Sequence, residues 1–239
     1  MDFARDRHEA QTTAVARRWL RENRGQWERA LRLSEWRPGD LPRDFLRDQR
    51  DELAAALFLR AVATGKAAIK AQAESMRLAA EDRKRLEAAA VLLLLRRAGQ
   101  MSASVSAQIV ADTVGGLRGY RRDVPAIQER IGVLFSPTRG EAIGITQTTA
   151  AASVGQLVVG DVLEEDGIDT EWVWITEEDG KVCPICRPFN RKDRSVWGRR
   201  FPGGPPGHPR CRCRLQLRWR MRAGGRGKAK IILKTPARP

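Results

Sequence analysis

Thiols are missing from the first 182 residues of this 239-residue chain. Its four cysteines all fall between Cys183 and Cys213, with one of its two histidines. Long apolar runs are missing too. The longest, Ala88 to Leu95, has eight residues between Glu87 and Arg96, against the roughly 20 that a bilayer crossing needs. The opening MDFARDRHEA is charged and shows no apolar stretch before a small-residue cleavage site. Together these gaps predict a soluble protein made in a reducing compartment, with no membrane contact. Several catalytic patterns are also lacking: H-x-E, HExxH, a glycine-rich phosphate loop, G-x-S-x-G and a convincing carboxylate pair. His8 stands alone near the terminus and reads as an ordinary surface residue. The expectation is a non-catalytic protein.

What is present is enough apolar material for a core, 42% of residues, in one or two domains. The formal charge of +15 is unevenly spread: residues 161–180 hold nine acids and no base, whereas 191–239 alone sum to +15. Such asymmetry points to a polyanionic or acidic partner.

Trp19 and Trp27, eight apart, share one helical face. After the Arg37-Pro38-Gly39-Asp40 turn, residues 44–97 are rich in strong helix formers. Gly65 is expected to divide them into two helices and Gly99 to end them. The segment reads either as a packed bundle or as an arm that docks on a larger assembly. A short helix through Val114, a break at Gly115-Gly116, a helix opened by Pro125, and a long helix from Thr138 to Leu163 follow. Thr170 to Thr176 alternates and is rich in aromatic and β-branched types, so it reads as a strand, with Glu178-Asp179-Gly180 as its turn. Beyond Arg218 the chain looks like a loose basic tail, with one short strand at Ile231-Ile232-Leu233. The expected fold class is α+β: a mainly helical N-terminal two thirds and a small C-terminal strand-containing zinc-knuckle module. Its expected divisions are 1–98, 99–165, 166–217 and 218–239.

Cys183-Pro-Ile-Cys186 can grip one metal from a tight turn, and His208-Pro-Arg-Cys211 repeats the spacing before Cys213. Tetrahedral zinc takes four such ligands. Five candidates therefore compete for four places: Cys183, Cys186 and Cys211 with either His208 or Cys213. In an extended strand, residues 211 and 213 face the same way; in a turn-like knuckle, His208 pairs with Cys211. Disulfides and a redox CxxC are the alternatives, the latter without the surrounding βαβ it wants. Around the cluster lie Arg187, Arg191, Lys192, Arg194, Arg199, Arg200, Arg212, Arg214 and Arg218, interleaved with Trp197, Phe201 and Trp219. They suit phosphate contacts and base stacking, or else a strand with one wet face, or pairing with acidic protein.

Trp174 to Gly180, Val182 to Pro188, and Pro205-Pro206-Gly207-His208-Pro209-Arg210-Cys211-Arg212-Cys213 resemble the C-terminal signature of phage minor head proteins. These form the Mu protein F-like, or phage head morphogenesis, family. Ile143 to Ala150 is similar to the helix that precedes that signature, with Ile145 where an arginine is usual and Gln147 in place of an acid. The resemblance covers residues 100–215. It implies a structural role in the inner head or portal region of a virion assembled in the bacterial cytoplasm. The implied partners are the portal or major capsid protein and packaged double-stranded DNA. Two other classes stand beside it: a zinc-ribbon-like nucleic-acid-binding protein, and a nuclease or toxin domain on a phage-type scaffold.

Overall fold

The computed structural model describes residues 4–76, 78–120, 122–177 and 183–220. The expected turn at 178–180, the tail beyond 220 and the strand at 231–233 lie outside them. The chain is α+β, as its sequence suggests. Helix α1 spans Arg5–Leu33, α2 Arg43–Ser75, α3 Ala80–Arg118, α4 Val124–Leu134 and α5 Pro137–Glu165. Strand β1 (Asp169–Ile175), β2 (Lys192–Asp193), the short helix α6 (Arg194–Trp197) and β3 (Arg214–Arg220) complete it. The sheet is antiparallel in the order β2-β1-β3, with Asp169 opposite Arg220 and Ile175 opposite Arg214.

Three expected breaks do not occur. α2 runs through Gly65, and α3 runs through Gly99 and Gly115-Gly116; α2 ends instead at Ser75 and α3 begins at Ala80. A glycine inside a helix costs about 1 kcal/mol relative to alanine. Burial of Leu94, Ala98, Ile109, Val110, Val114 and Leu117 along α3 outweighs that. The expected division at 98/99 thus lies inside one continuous helix. α1, α2 and α3 all pack against α5, so the first hundred residues form part of a bundle.

α5 is the axis of that bundle, and 17 of its 29 residues are buried. It is capped by Ser136, whose side chain accepts from Arg139 N at 3.3 Å. The glycines that weaken its helical propensity are its contact points. A Cβ on Gly144 would stand 2.6 Å from Thr13 Cα of α1. One on Gly155 would stand 2.8 Å from Gly65 Cα of α2, and one on Gly160 2.8 Å from the Trp172 indole of β1. Only glycine permits three elements to close on one helix this tightly. Length and mean hydropathy would suit α5 to a bilayer, but most of its apolar window is buried inside the fold.

Two cores result. One joins α1, α4, the start of α2 and the end of α3 around Trp27, Leu53, Leu117 and Ile131. The other joins the facing ends of α2 and α3 to α5 and the sheet. Its outer part is aromatic: Trp174 lies 5.7 Å from Phe189, 5.7 Å from Trp197 and 5.4 Å from Phe201, centroid to centroid. This second core contains three of the four cysteines.

Gly144→Ala should lower unfolding stability by about 1–3 kcal/mol, the usual cost of overpacking, because the obstacle is backbone. Gly132→Ala in α4, where a Cβ meets nothing within 4 Å, should hold or raise stability. Urea unfolding of the two variants checks the contrast.

Candidate metal centre

Two chain segments meet to build the centre. The first is the CxxC turn, which folds because Cys186 N and Arg187 N both donate to Cys183 O, at 3.2 and 3.1 Å. Cys186 N also lies 3.3 Å from Cys183 Sγ, so the turn aims one amide at its own sulfur. The second segment leads into β3. Burial alternates along it, with Cys211, Cys213, Leu215 and Leu217 inward and Arg212 outward. Residues 211 and 213 therefore face the same side, as the spacing suggests.

All five candidate ligands come together. Cys183, Cys186 and His208 form one group with ligand atoms within 4.8 Å of one another; Cys186, Cys211 and Cys213 form a second. Cys186 belongs to both. His208 Nε2 lies 2.8 Å from Cys183 Sγ, and Cys186 Sγ lies 3.8 Å from Cys211 Sγ. His208 Nδ1 is 2.7 Å from Pro209 O. A carbonyl oxygen only accepts, so this bond places the proton on Nδ1 and leaves the Nε2 lone pair facing Cys183. Cys186, Cys211 and Cys213 are buried, and Cys183 and His208 are half-buried. The cluster can hold a metal ion.

Proton sharing within the cluster points the same way. The Cys211 thiol is drawn far below its ordinary value by hydrogen bonds from Cys186, then Cys213. Cys186 is pushed well up by its bond to Cys211, by Cys213 and by burial. Sulfurs this close cannot all ionise alone, because their negative charges repel at low dielectric. A cation can replace the shared protons.

The helix behind the cluster supplies contacts that the sequence does not announce. Arg210 N donates to Thr146 Oγ1 at 2.9 Å, and Thr149 Oγ1 donates to Cys211 O at 2.5 Å. Gln156 brackets Leu215: its Nε2 donates to Leu215 O at 2.9 Å, and its Oε1 accepts from Leu215 N at 3.3 Å. Among the described residues β3 is an edge strand, and this side chain satisfies backbone groups that β1 leaves open. The only sequence signal for these roles is a helix whose threonines and glutamine interrupt an apolar pattern. Gln147, in the family-like stretch, is buried with no hydrogen-bond partner for its amide among the described residues. Ile145 lines a cleft of about 330 Å³ beside Cys183 and His208. No Arg–acid contact occurs at these two positions.

The basic candidates divide. Arg212 pairs with Glu9 at 2.8 Å and Asp6 at 3.9 Å, Arg214 with Glu177 at 3.8 Å, and Arg218 with Glu171 at 3.9 Å. These three serve carboxylates of their own chain. Arg5 completes the junction, bonding Glu9 at 2.7 Å, Thr149 Oγ1 at 2.7 Å and the carbonyl of Arg212. Arg187, Lys192, Arg194, Arg199 and Arg200 are exposed and have no carboxylate partner among the described residues. Arg191 turns the chain into β2 with φ 60°, its N donating to Trp174 O at 2.7 Å.

The aromatics expected to stack on bases are engaged inside. Trp197 is fully buried, and its Nε1 donates to Lys192 O at 3.1 Å. Phe201 joins the Trp174 group, and Trp219 packs against the same core. His8 is half-buried rather than a surface residue: its Nδ1 lies 3.2 Å from Thr64 Oγ1. Burial, then Arg60 and Arg7, holds its pKa below the usual value.

Gln156→Ala leaves both backbone groups of Leu215 buried without their partner. Each such group costs about 1–3 kcal/mol, so chemical denaturation should show a loss of that order or greater. Gln108→Ala, at an exposed position of α3, should change stability little. Compared with protein-family models, curated proteins and solved structures, the chain matches none.

Proposed function

We propose that residues 183–213 form a structural zinc knuckle, and that the chain is a non-catalytic minor head protein of a tailed phage. The observation that carries the reading is the convergence of four thiols and one imidazole on one spot between the CxxC turn and β3. Thiolate and imidazole donors suit zinc rather than a hard cation. A Zn–S bond of about 2.3 Å gives a tetrahedral sulfur–sulfur edge of about 3.8 Å. Cys186 and Cys211 are 3.8 Å apart. Cys183, Cys186, Cys211 and His208 are the proposed ligands, because the Pro209 carbonyl pre-orients His208 Nε2; Cys213, which lines the same cleft, is the remaining thiol. Bound zinc supplies charge neutralisation and a cross-link between the two segments.

The head assignment rests on the resemblance of the CPICRP and PPGHPRCRC stretches, which include every proposed ligand. Its setting is the inner head or portal region, with the portal or major capsid protein as partner and packaged DNA nearby. A role in assembly, and in genome packaging or ejection, follows from that setting. One observation favours a second reading, a zinc-ribbon-like nucleic-acid-binding protein. Arg187, Lys192, Arg194, Arg199 and Arg200 sit on one lobe with no intramolecular carboxylate pair among the described residues.

Elemental analysis in reducing buffer should find one zinc per chain. It should be lost in Cys186→Ser and His208→Ala and retained in Cys213→Ser. Wild-type protein without zinc, with four titrating thiols, would sink the knuckle. Retention in His208→Ala with loss in Cys213→Ser would assign the fourth ligand to Cys213.

The head reading predicts co-sedimentation with procapsids when the chain is co-expressed with portal and major capsid proteins of a tailed phage. Recovery entirely as free protein, with tight and steeply salt-dependent DNA binding, would replace that reading with the second.

A further inference from the structure

We propose that Cys186, Cys211 and Cys213 form a second, alternative metal site: a trithiolate for a soft monovalent cation of the Cu(I) class. It shares Cys186 and Cys211 with the proposed zinc set, so the two ions exclude each other. Only this competition rests on the zinc reading; the trithiolate itself needs neither Cys183 nor His208.

The five ligand atoms fall into two groups of three that share Cys186, one containing an imidazole and the other sulfur alone. The sulfur group is the more enclosed. Cys186 and Cys211 are 1% exposed and Cys213 is 7% exposed, whereas Cys183 and His208 are half-buried. Metal–sulfur bonds of about 2.3 Å would place the corners of a planar trithiolate about 4.0 Å apart. Cys186 and Cys211 already stand 3.8 Å apart, and both lie within 4.8 Å of Cys213. Little movement is needed to close the triangle. Zinc prefers four ligands, whereas Cu(I) is satisfied by fewer and is selected by thiolate. Donor number and donor type therefore both favour the softer ion in this group. Cys186 and Cys213 also line the cleft of about 330 Å³, which gives an ion its way in.

Trp174 supplies an independent observation. Its Nε1 is buried, with no hydrogen-bond partner among the described residues, and a buried donor left open calls for an acceptor. Trp174 is paired with Leu215 across the sheet, two residues beyond Cys213. Cys213 and Leu215 both face inward, so the indole and the Cys213 sulfur are diagonal neighbours. Cys186 and the Trp174 indole favour the Cys213 thiolate, whereas Cys211 and burial oppose it. While zinc is held by the set with His208, Cys213 stays a thiol, a weak acceptor. A soft cation that replaces its proton turns the sulfur into a charged acceptor for the indole N–H. The zinc set leaves both Cys213 and this N–H unused; the trithiolate uses both.

The test titrates the full chain, reduced and anaerobic, with Cu(I) against a chromophoric Cu(I) chelator, while a zinc indicator follows released zinc. Wild type should take up one Cu(I) per chain and give up its zinc. Cys213→Ser should keep zinc and hold Cu(I) at least roughly tenfold more weakly. His208→Ala and Cys183→Ser should lose zinc and keep the wild-type affinity for Cu(I). X-ray absorption at the copper edge should show sulfur neighbours and no nitrogen shell. No Cu(I) uptake by wild type, weakened Cu(I) binding in His208→Ala or Cys183→Ser, unchanged binding in Cys213→Ser, or nitrogen bound to copper would each overturn the proposal. If circular dichroism shows that Cys213→Ser does not fold, the other two variants and the absorption spectrum decide. Wild type that holds Cu(I) in this pattern but never zinc would remove the zinc reading and leave the trithiolate standing. Zinc binding without Cu(I) uptake would do the reverse.

Discussion

Thr146, Thr149 and Gln156 reach from one helix to four backbone groups of the segment that carries Cys211 and Cys213. The rest of the C-terminal module depends on these bonds. The 21 residues between Cys186 and His208 include several glycines and prolines and little that can be buried. Phe189, Trp197 and Phe201 fold back onto Trp174, and the stretch otherwise leans on its two ends. Side-chain hydrogen bonds to buried backbone cost much when broken, since the partner stays desolvated. α5 thus defines where His208, Cys211 and Cys213 sit, and the sulfur cluster ties that position to the CxxC turn.

The same helix shows how far a sequence can be read. Its extent was visible from Pro137, Ser136 and the proline-free run that follows. Its role was hidden, because threonine and glycine lower helix propensity and say nothing about what they touch. Gly144 and Gly155 are close approaches, Thr149 and Gln156 are tethers, and neither meaning exists without the neighbouring chain. Gly65, Gly99 and Gly115-Gly116 misled for a related reason: local propensity is a weak term beside tertiary burial. The metal candidates were legible in full, because ligand spacing is a local property and inward alternation at 211 and 213 is a two-residue pattern. β3 was legible only as that alternation, and its pairing with β1 was not.

Charge is subtler than composition suggests. A basic C-terminal stretch invites a polyanion, but Arg212, Arg214 and Arg218 are matched to glutamates of α1, β1 and the stretch just after β1. Exposed pairs of this kind contribute little to stability. The buried side of Glu9, held between Arg5 and Arg212, is different: there two guanidiniums and a hydroxyl form a joint between chain ends. Among the described residues of this stretch, Arg187, Lys192, Arg194, Arg199 and Arg200 have no such pair, and Lys192 lies on β2, across β1 from β3. Among the described residues, part of the basic charge is thus spent on the chain's own carboxylates.

The joint at Glu9 has a consequence in time. Arg5 and Glu9 are synthesised well before their partner Arg212, which lies more than 200 residues downstream. A ribosome adding roughly 5–20 residues per second would expose the polar face of α1 for many seconds before β3 emerges. Contacts of such sequence separation form late and slow the final step of folding. Helices α1 to α5 can pair as they appear, whereas the joint at Glu9 closes only once Arg212 has been made.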